Sequence, residues 1–157
     1  MDILKIPSME KKEYDEFIGK QYVSRIAFKW DYPYIAPFLY VFDGKFIYFL
    51  STKYGKKVEL IKSDPQVAVE IEKYSADMAQ YRFVTLRGQI KEVTSEVEKI
   101  DVKERFVDMI REKDLSPNVL SALGHSPQDQ PESILNEDKC NVWKLVNVKE
   151  IVALKNS

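Results

Sequence analysis

The sequence predicts a mainly β protein with flanking helices, built as an antiparallel barrel of six or seven strands. Three observations carry this. Short runs rich in aromatic and β-branched residues recur along the chain, turn signals separate them, and one segment alone has the apolar spacing of a longer helix. Closing the strands into a barrel pairs edges that an open sheet would leave exposed.

The elements follow in order. "SMEKKEYDEFIGK" has the spacing of a short amphipathic helix, with Tyr14, Phe17 and Ile18 on one side and Gly19 near its end. "QYVSRIAFKW", "PYIAPFLYVF" and "KFIYFLS" are strands, divided by Asp31 with Pro33 and by the hairpin pair Asp43-Gly44. Pro37 inside the second run demands an edge or a bulge, because proline has no N–H for a ladder. "GKKVELIKS" is a short helix carrying Val58, Leu60 and Ile61, and "QVAVEIEKY" returns to strand. In "YRFVTLRGQIKEV", Val84, Leu86 and Ile90 alternate with Thr85, Arg87, Gln89 and Lys91, the period of a half-buried antiparallel strand. "TSEVEKIDVKERFVDMIREK" is the clearest helix. Ser95 and Glu98 have capping-box spacing, and Val97, Ile100, Phe106, Val107 and Ile110 supply its apolar side. Residues 114–138, rich in Ser, Pro, Asp, Asn and Gln, predict an irregular excursion with little core. "CNVWKLVNV" and "EIVAL" are the closing strands.

At 157 residues the chain is expected to form a single domain over residues 1–157, with a helical and loop excursion at about 94–139. Lys plus Arg number 24 against 25 Asp plus Glu, a net charge of -1, which removes the bulk electrostatic basis for nucleic-acid or anionic-membrane binding. Nine Tyr and eight Phe beside Lys-rich loops raise a single-stranded nucleic-acid barrel, but these rings fall in strand runs among aliphatics, where core is the simpler account. The single cysteine, Cys140, forms no intrachain disulfide and is expected to be buried. "MDILKIPSMEKKEY" lacks the pattern of a signal peptide, and no apolar run is long enough to span a bilayer, so the expected location is cytoplasmic.

The segment with the most chemistry is "STKYGKK". Ser51 and Thr52 offer hydroxyls, Lys56 and Lys57 offer charge, and a helix begins there with free N–H groups, together a cradle for a phosphate-bearing ligand. A solvated basic turn is the plain alternative. The spacing is not that of a nucleoside-triphosphate loop. In "PYIAPFLYVF", Pro37 leaves strand backbone bare beside apolar side chains, a wall suited to a flat heteroaromatic ring, although for the run taken alone plain core is the better account. His125, the only histidine, sits among loop formers and is expected to be solvated. No nucleophile motif accompanies it, and the acids of "VEKIDVKE" and "DMIREKD" are expected to be a solvated helical face.

The order "SRIAF", "YPYIAPFLYVF", Asp-Gly, "FIYFLSTKYGKKVELIKSDPQVAVEI", "YRFVTLRGQIKEV" resembles the FMN-binding split barrel of the pyridoxamine 5'-phosphate oxidase-like superfamily, over roughly residues 10 to 93. The resemblance implies a Greek-key split β-barrel and a homodimer with FMN at its interface, each site completed by the partner chain. Lys56 and Lys57 then take the place of the basic pair that holds the FMN phosphate, with Leu50, Ser51 and Thr52 at the strand end beside it. Ile35, Ala36, Pro37 and Phe38, continuing to Tyr40, form the strand along the flavin, and Arg82 and Phe83 match positions near the ring. The vitamin oxidases carry an Arg-x-Val-Leu-Leu-Lys strand where this chain has the uncharged "YIAPFLY", and their substrate-binding Arg and His have no match in "CNVWKLVNVKEIVALKNS". Nitroimidazole-reductase-like relatives often place His where this chain has Leu50. The implied function is an FMN flavoprotein passing electrons from a reduced nicotinamide or similar donor to a small acceptor, with no catalytic side chain. The alternative is a non-catalytic sensor or carrier of a flavin or a deazaflavin coenzyme; haem is disfavoured by the single loop histidine.

Overall fold

A computed structural model describes residues 5–156. Among them the order is α1 (Lys11–Lys20), β1 (Val23–Phe28), β2 (Tyr34–Phe42), β3 (Ile47–Thr52), α2 (Lys56–Ser63), β4 (Gln66–Tyr74), β5 (Tyr81–Glu92), α3 (Glu96–Glu112), α4 (Val119–Ala122), α5 (Ser133–Asn136) and β6 (Cys140–Lys155). The six strands close into an antiparallel barrel in the order β1-β2-β3-β6-β5-β4, the class that the sequence predicts. The segment without a signal-peptide pattern includes residues 1–4, which lie outside the described residues.

The two expected closing strands are one continuous element. Between the pairs Gln89↔Val146 and Arg87↔Glu150, residues 147–149 of β6 stand opposite Gly88 alone. Asn147 turns this bulge with φ 51°, and the strand resumes without leaving the sheet. The Asp43-Gly44 hairpin forms as expected: Asp43 Oδ1 accepts from the amides of Lys45 and Phe46, and Gly44 takes φ 95°.

Inward side chains of every strand meet in one core, including Ile26, Phe38, Phe49, Val69, Val84, Leu86 and Trp143. A second core lies outside the barrel wall. Val41, Tyr48, Leu50 and Val142 face outward and are covered by Val102, Phe106 and Ile110 of α3 with Leu120, Leu123 and Ile134 of the excursion. The excursion thus contributes more core than its composition suggests, because its few apolar residues are all spent on one surface. On α3, Val97 and Ile100 are exposed rather than apolar anchors; Val102 and Met109 take their place.

Strands β2 and β3 pair only from Tyr40↔Phe49 to Phe42↔Ile47. Beyond that they splay: residues 34–39 of β2 pair with β1, and Leu50–Thr52 of β3 pair with β6. Tyr40 N donates to Tyr22 O, so by the two-residue alternation the amides of Phe38 and Ala36 also face β1, and positions 35, 37 and 39 face the split. Pro37 therefore removes no ladder bond, which is why this strand accepts it.

Candidate functional site

The split opens a cleft of about 260 Å³ lined by Val23, Pro37, Phe38, Leu39, Leu50 and Lys57, with Val119, Ala122 and Leu123 of the excursion as its far wall. Its chemistry is mixed in a useful way. The walls are apolar, the edge of β2 presents unpaired backbone groups, and one ammonium stands at the mouth, where Lys57 Nζ lies 4.9 Å from the Phe38 ring centroid.

The rest of "STKYGKK" is disposed differently from the sequence expectation. Ser51 is buried and its hydroxyl donates to Thr52 O (2.9 Å), while Thr52 donates to Tyr54 O (2.9 Å). These protons are spent on shaping the turn. Lys56 Nζ stacks on the Trp30 ring at 3.3 Å from its centroid, and Lys53 pairs with Asp138 at 2.8 Å, fastening the turn to the excursion. Gly55, at φ 109°, turns the chain into α2, whose first amides have no partner within the helix. An ammonium, free helix-end amides, an apolar wall and a bare strand edge suit a ligand with a phosphate and a flat polar-edged ring.

The remaining predicted positions lie apart from this cleft. Ile35 is exposed on the outer face of β2 and Ala36 is half-buried against the barrel core. Arg82 lines a separate cavity of about 330 Å³ beside Phe17 and Lys20 of α1. Phe83 stacks on Tyr81 with ring centroids 5.4 Å apart, half-buried on the outer face of β5. That outer face runs on through Thr85, Glu70, Arg25 and Pro37, cross-strand neighbours in one row. Arg25 binds Glu72 and lies 3.5 Å from Glu70, whose carboxyl is pushed up by burial and by the neighbouring Glu72.

The sequence model of the family described as pyridoxamine 5'-phosphate oxidase matches residues 10–132, most of the chain. The chain belongs to that family. No curated protein matches it. Among solved structures it is similar to an FAD-binding protein from Mesorhizobium loti, with 18% identity and a TM-score of 0.68 over 98% of this chain and 100% of that one. An FAD-binding protein from Mycobacterium smegmatis shares 13% identity and a TM-score of 0.63 over 96% and 98% of the two chains. An FAD and haem binding protein from the same organism shares 13% identity and a TM-score of 0.62 over 96% and 73%. With identities this low, the likeness shows a common fold alone.

Within this family member, two features of the site region escape sequence reasoning. Trp30 comes from the β1–β2 turn, 26 residues before the lysine that it supports, and nothing local to either residue signals the pair. His125 is buried rather than solvated, its imidazole held below its ordinary pKa by that burial and by the Lys139 charge. Its amide donates to Leu120 O and its Nδ1 lies 3.2 Å from Ser133 Oγ, which folds the excursion back on itself. Cys140 is buried as expected, with its thiol donating to Leu123 O and pushed up in pKa by burial.

Proposed function

We propose that this chain is a flavin-binding protein that holds FMN in the β2–β3 split and serves as an oxidoreductase, taking electrons from a reduced nicotinamide or similar donor. The splayed strands with Lys57 at their mouth carry the reading, since a ring edge could meet the bare backbone of β2 while the phosphate reaches Lys57 and the first amides of α2. The FAD-binding proteins of the same fold support a flavin, and the uncharged β2 argues against the substrate of the vitamin oxidases. The flavin would supply the electron transfer; the chain would bind it, orient its ring against Pro37 and Phe38, and exclude water with Val119 and Leu123. The outer face of β1, β2, β4 and β5 would pack against a second copy, bringing the partner copy's equivalent of Phe83, with Arg82 at the barrel rim beside it, to a site that these residues do not reach within one chain. No described helix is long and apolar enough to cross a membrane, and a cytoplasmic setting is part of the proposal.

The test is the visible spectrum of the purified protein after incubation with FMN or FAD and gel filtration, followed by titration of variants. A retained flavin is expected. Lys57→Ala is expected to weaken binding by about 1.5–3 kcal/mol, the range of a hydrogen bond to a charged group. Lys56→Ala is expected to do less, because its ammonium lies on Trp30. Equal losses would move the phosphate from the cleft toward Trp30, and no retained flavin would remove the function. Preference for FAD, or a deazaflavin retained in place of both, would correct the cofactor. Oxidation of a reduced nicotinamide by the loaded protein separates an enzyme from a carrier.

A further inference from the structure

We propose that His125, Asp129 and Glu137 form a Zn²⁺ site that clips the excursion between α4 and β6. One ligand atom from each lies within 4.8 Å of the others. The set, one imidazole and two carboxylates from a short stretch, is of the type that binds borderline divalent ions, with a solvent position to complete four-coordination.

The geometry between His125 and Glu137 is the strongest part. The His125 side chain is 1% exposed, and its Nδ1 faces Glu137 Oε2 at 3.7 Å. That is too long for a hydrogen bond. With zinc–ligand bonds of roughly 2.0–2.2 Å at tetrahedral angles, two ligand atoms of one ion stand roughly 3.3–3.6 Å apart. Oε2 itself is buried and has no hydrogen-bond partner, although the side chain is otherwise 43% exposed. A buried acceptor in that condition calls for a cation, a place that the Lys139 ammonium fills in the ion-free protein and that a metal ion would take over. Asp129 is already oriented, its Oδ2 accepting from the Ser126 amide at 3.1 Å.

One group competes. Lys139 Nζ lies 2.8 Å from Glu137 Oε2, close enough to pair by charge though not aligned as a hydrogen bond. Its side chain is 47% exposed and can swing into solvent when an ion enters. Asp138, the neighbouring acid, is engaged by Lys53 and stays outside the set. Because Leu123 stands two residues from His125 and walls the cleft, an ion here would fix that wall in place.

The single histidine makes the test direct. Stoichiometric Zn²⁺ is added to ¹⁵N-labelled protein, and the imidazole nitrogens are followed while binding is measured by calorimetry. One equivalent is expected to bind with the Nδ1 resonance shifted and Nε2 little changed, and to raise the melting temperature. Glu137→Gln and Asp129→Asn, both at partly exposed side chains, are expected to weaken binding at least about tenfold. Lys139→Ala is expected to tighten it by removing the competing ammonium. An unmoved Nδ1 resonance at saturation, or Glu137→Gln binding as tightly as the unaltered protein, would overturn the site. His125→Gln adds to the test if it folds, and the two carboxylate variants decide it if it does not.

Discussion

Glu98 shows how a residue can carry one meaning locally and another in the folded chain. Four residues of sequence make it the distal half of a capping box, and the proximal half forms: Ser95 Oγ accepts from the Glu98 amide at 3.3 Å. The Glu98 carboxylate turns away from the cap to accept from Lys144 Nζ (2.9 Å) and Tyr48 Oη (2.8 Å), joining α3 to β3 and β6. Lys144 first, then Tyr48, holds its carboxyl below the ordinary value of 4.5. The stabilisation is therefore complete above 4.5 and lost as pH falls through the lowered value. Glu98→Gln is expected to cost about 1 kcal/mol near neutrality, by thermal melting, with the gap to the unaltered protein closing in acid. Its partners lie 50 and 46 positions away, so only the cap was legible in the sequence. The same holds for Lys56. Its charge was legible, but its commitment to Trp30 depends on a turn that arrives from another strand.

At the scale of elements, boundaries followed closely from alternation and turn chemistry wherever one face is buried and the other wet. β4 and β5 are instances: the period of two in "VTLRGQIKEV" places Val84, Leu86 and Ile90 inward. β6 did not read as one strand, because "NVKE" resembles a turn and becomes instead a bulge tolerated by its neighbour. Gly88 is that neighbour. A Cβ there would meet Val146 O at 2.8 Å and Val148 Cα at 3.3 Å, both backbone atoms that cannot rotate away. Gly88→Ala is expected to destabilise the barrel by about 1–3 kcal/mol, seen as a lower denaturant midpoint with an unchanged slope. The excursion was misjudged for a related reason. Composition counted its polar residues, while Leu120, Leu123 and Ile134 owe their burial to the outward face of β3 that waits for them.

For the whole molecule, the helices cover the outer barrel unequally. They bury the outward side of β3 and the first half of β6, while Val23 of β1, Ile35 of β2 and Val152 in the second half of β6 stay exposed on the side that includes β1, β2, β4 and β5. If a second copy covers that side, as proposed, Ile35→Glu with Val152→Glu is expected to give a monomer by sedimentation that melts as one unit but retains flavin poorly. An unchanged dimer with full flavin retention would move the interface elsewhere. In that reading the barrel was legible and the assembled site was not: the strands and their alternation follow from one chain's pattern, whereas Arg82 and Phe83 would acquire a role only through a neighbour. The splayed β2 has a last consequence, concerning what must be kept out. A bare strand edge is a template on which another chain can add by backbone pairing, the first step toward aggregation. Here the edge alternates its outward amides at positions 35, 37 and 39, and the middle one is a proline with nothing to donate. Leu123 and Val119 stand across the gap. An incoming strand would find the ladder broken at its centre and a roof above it, so the opening can admit a small ring without inviting a peptide.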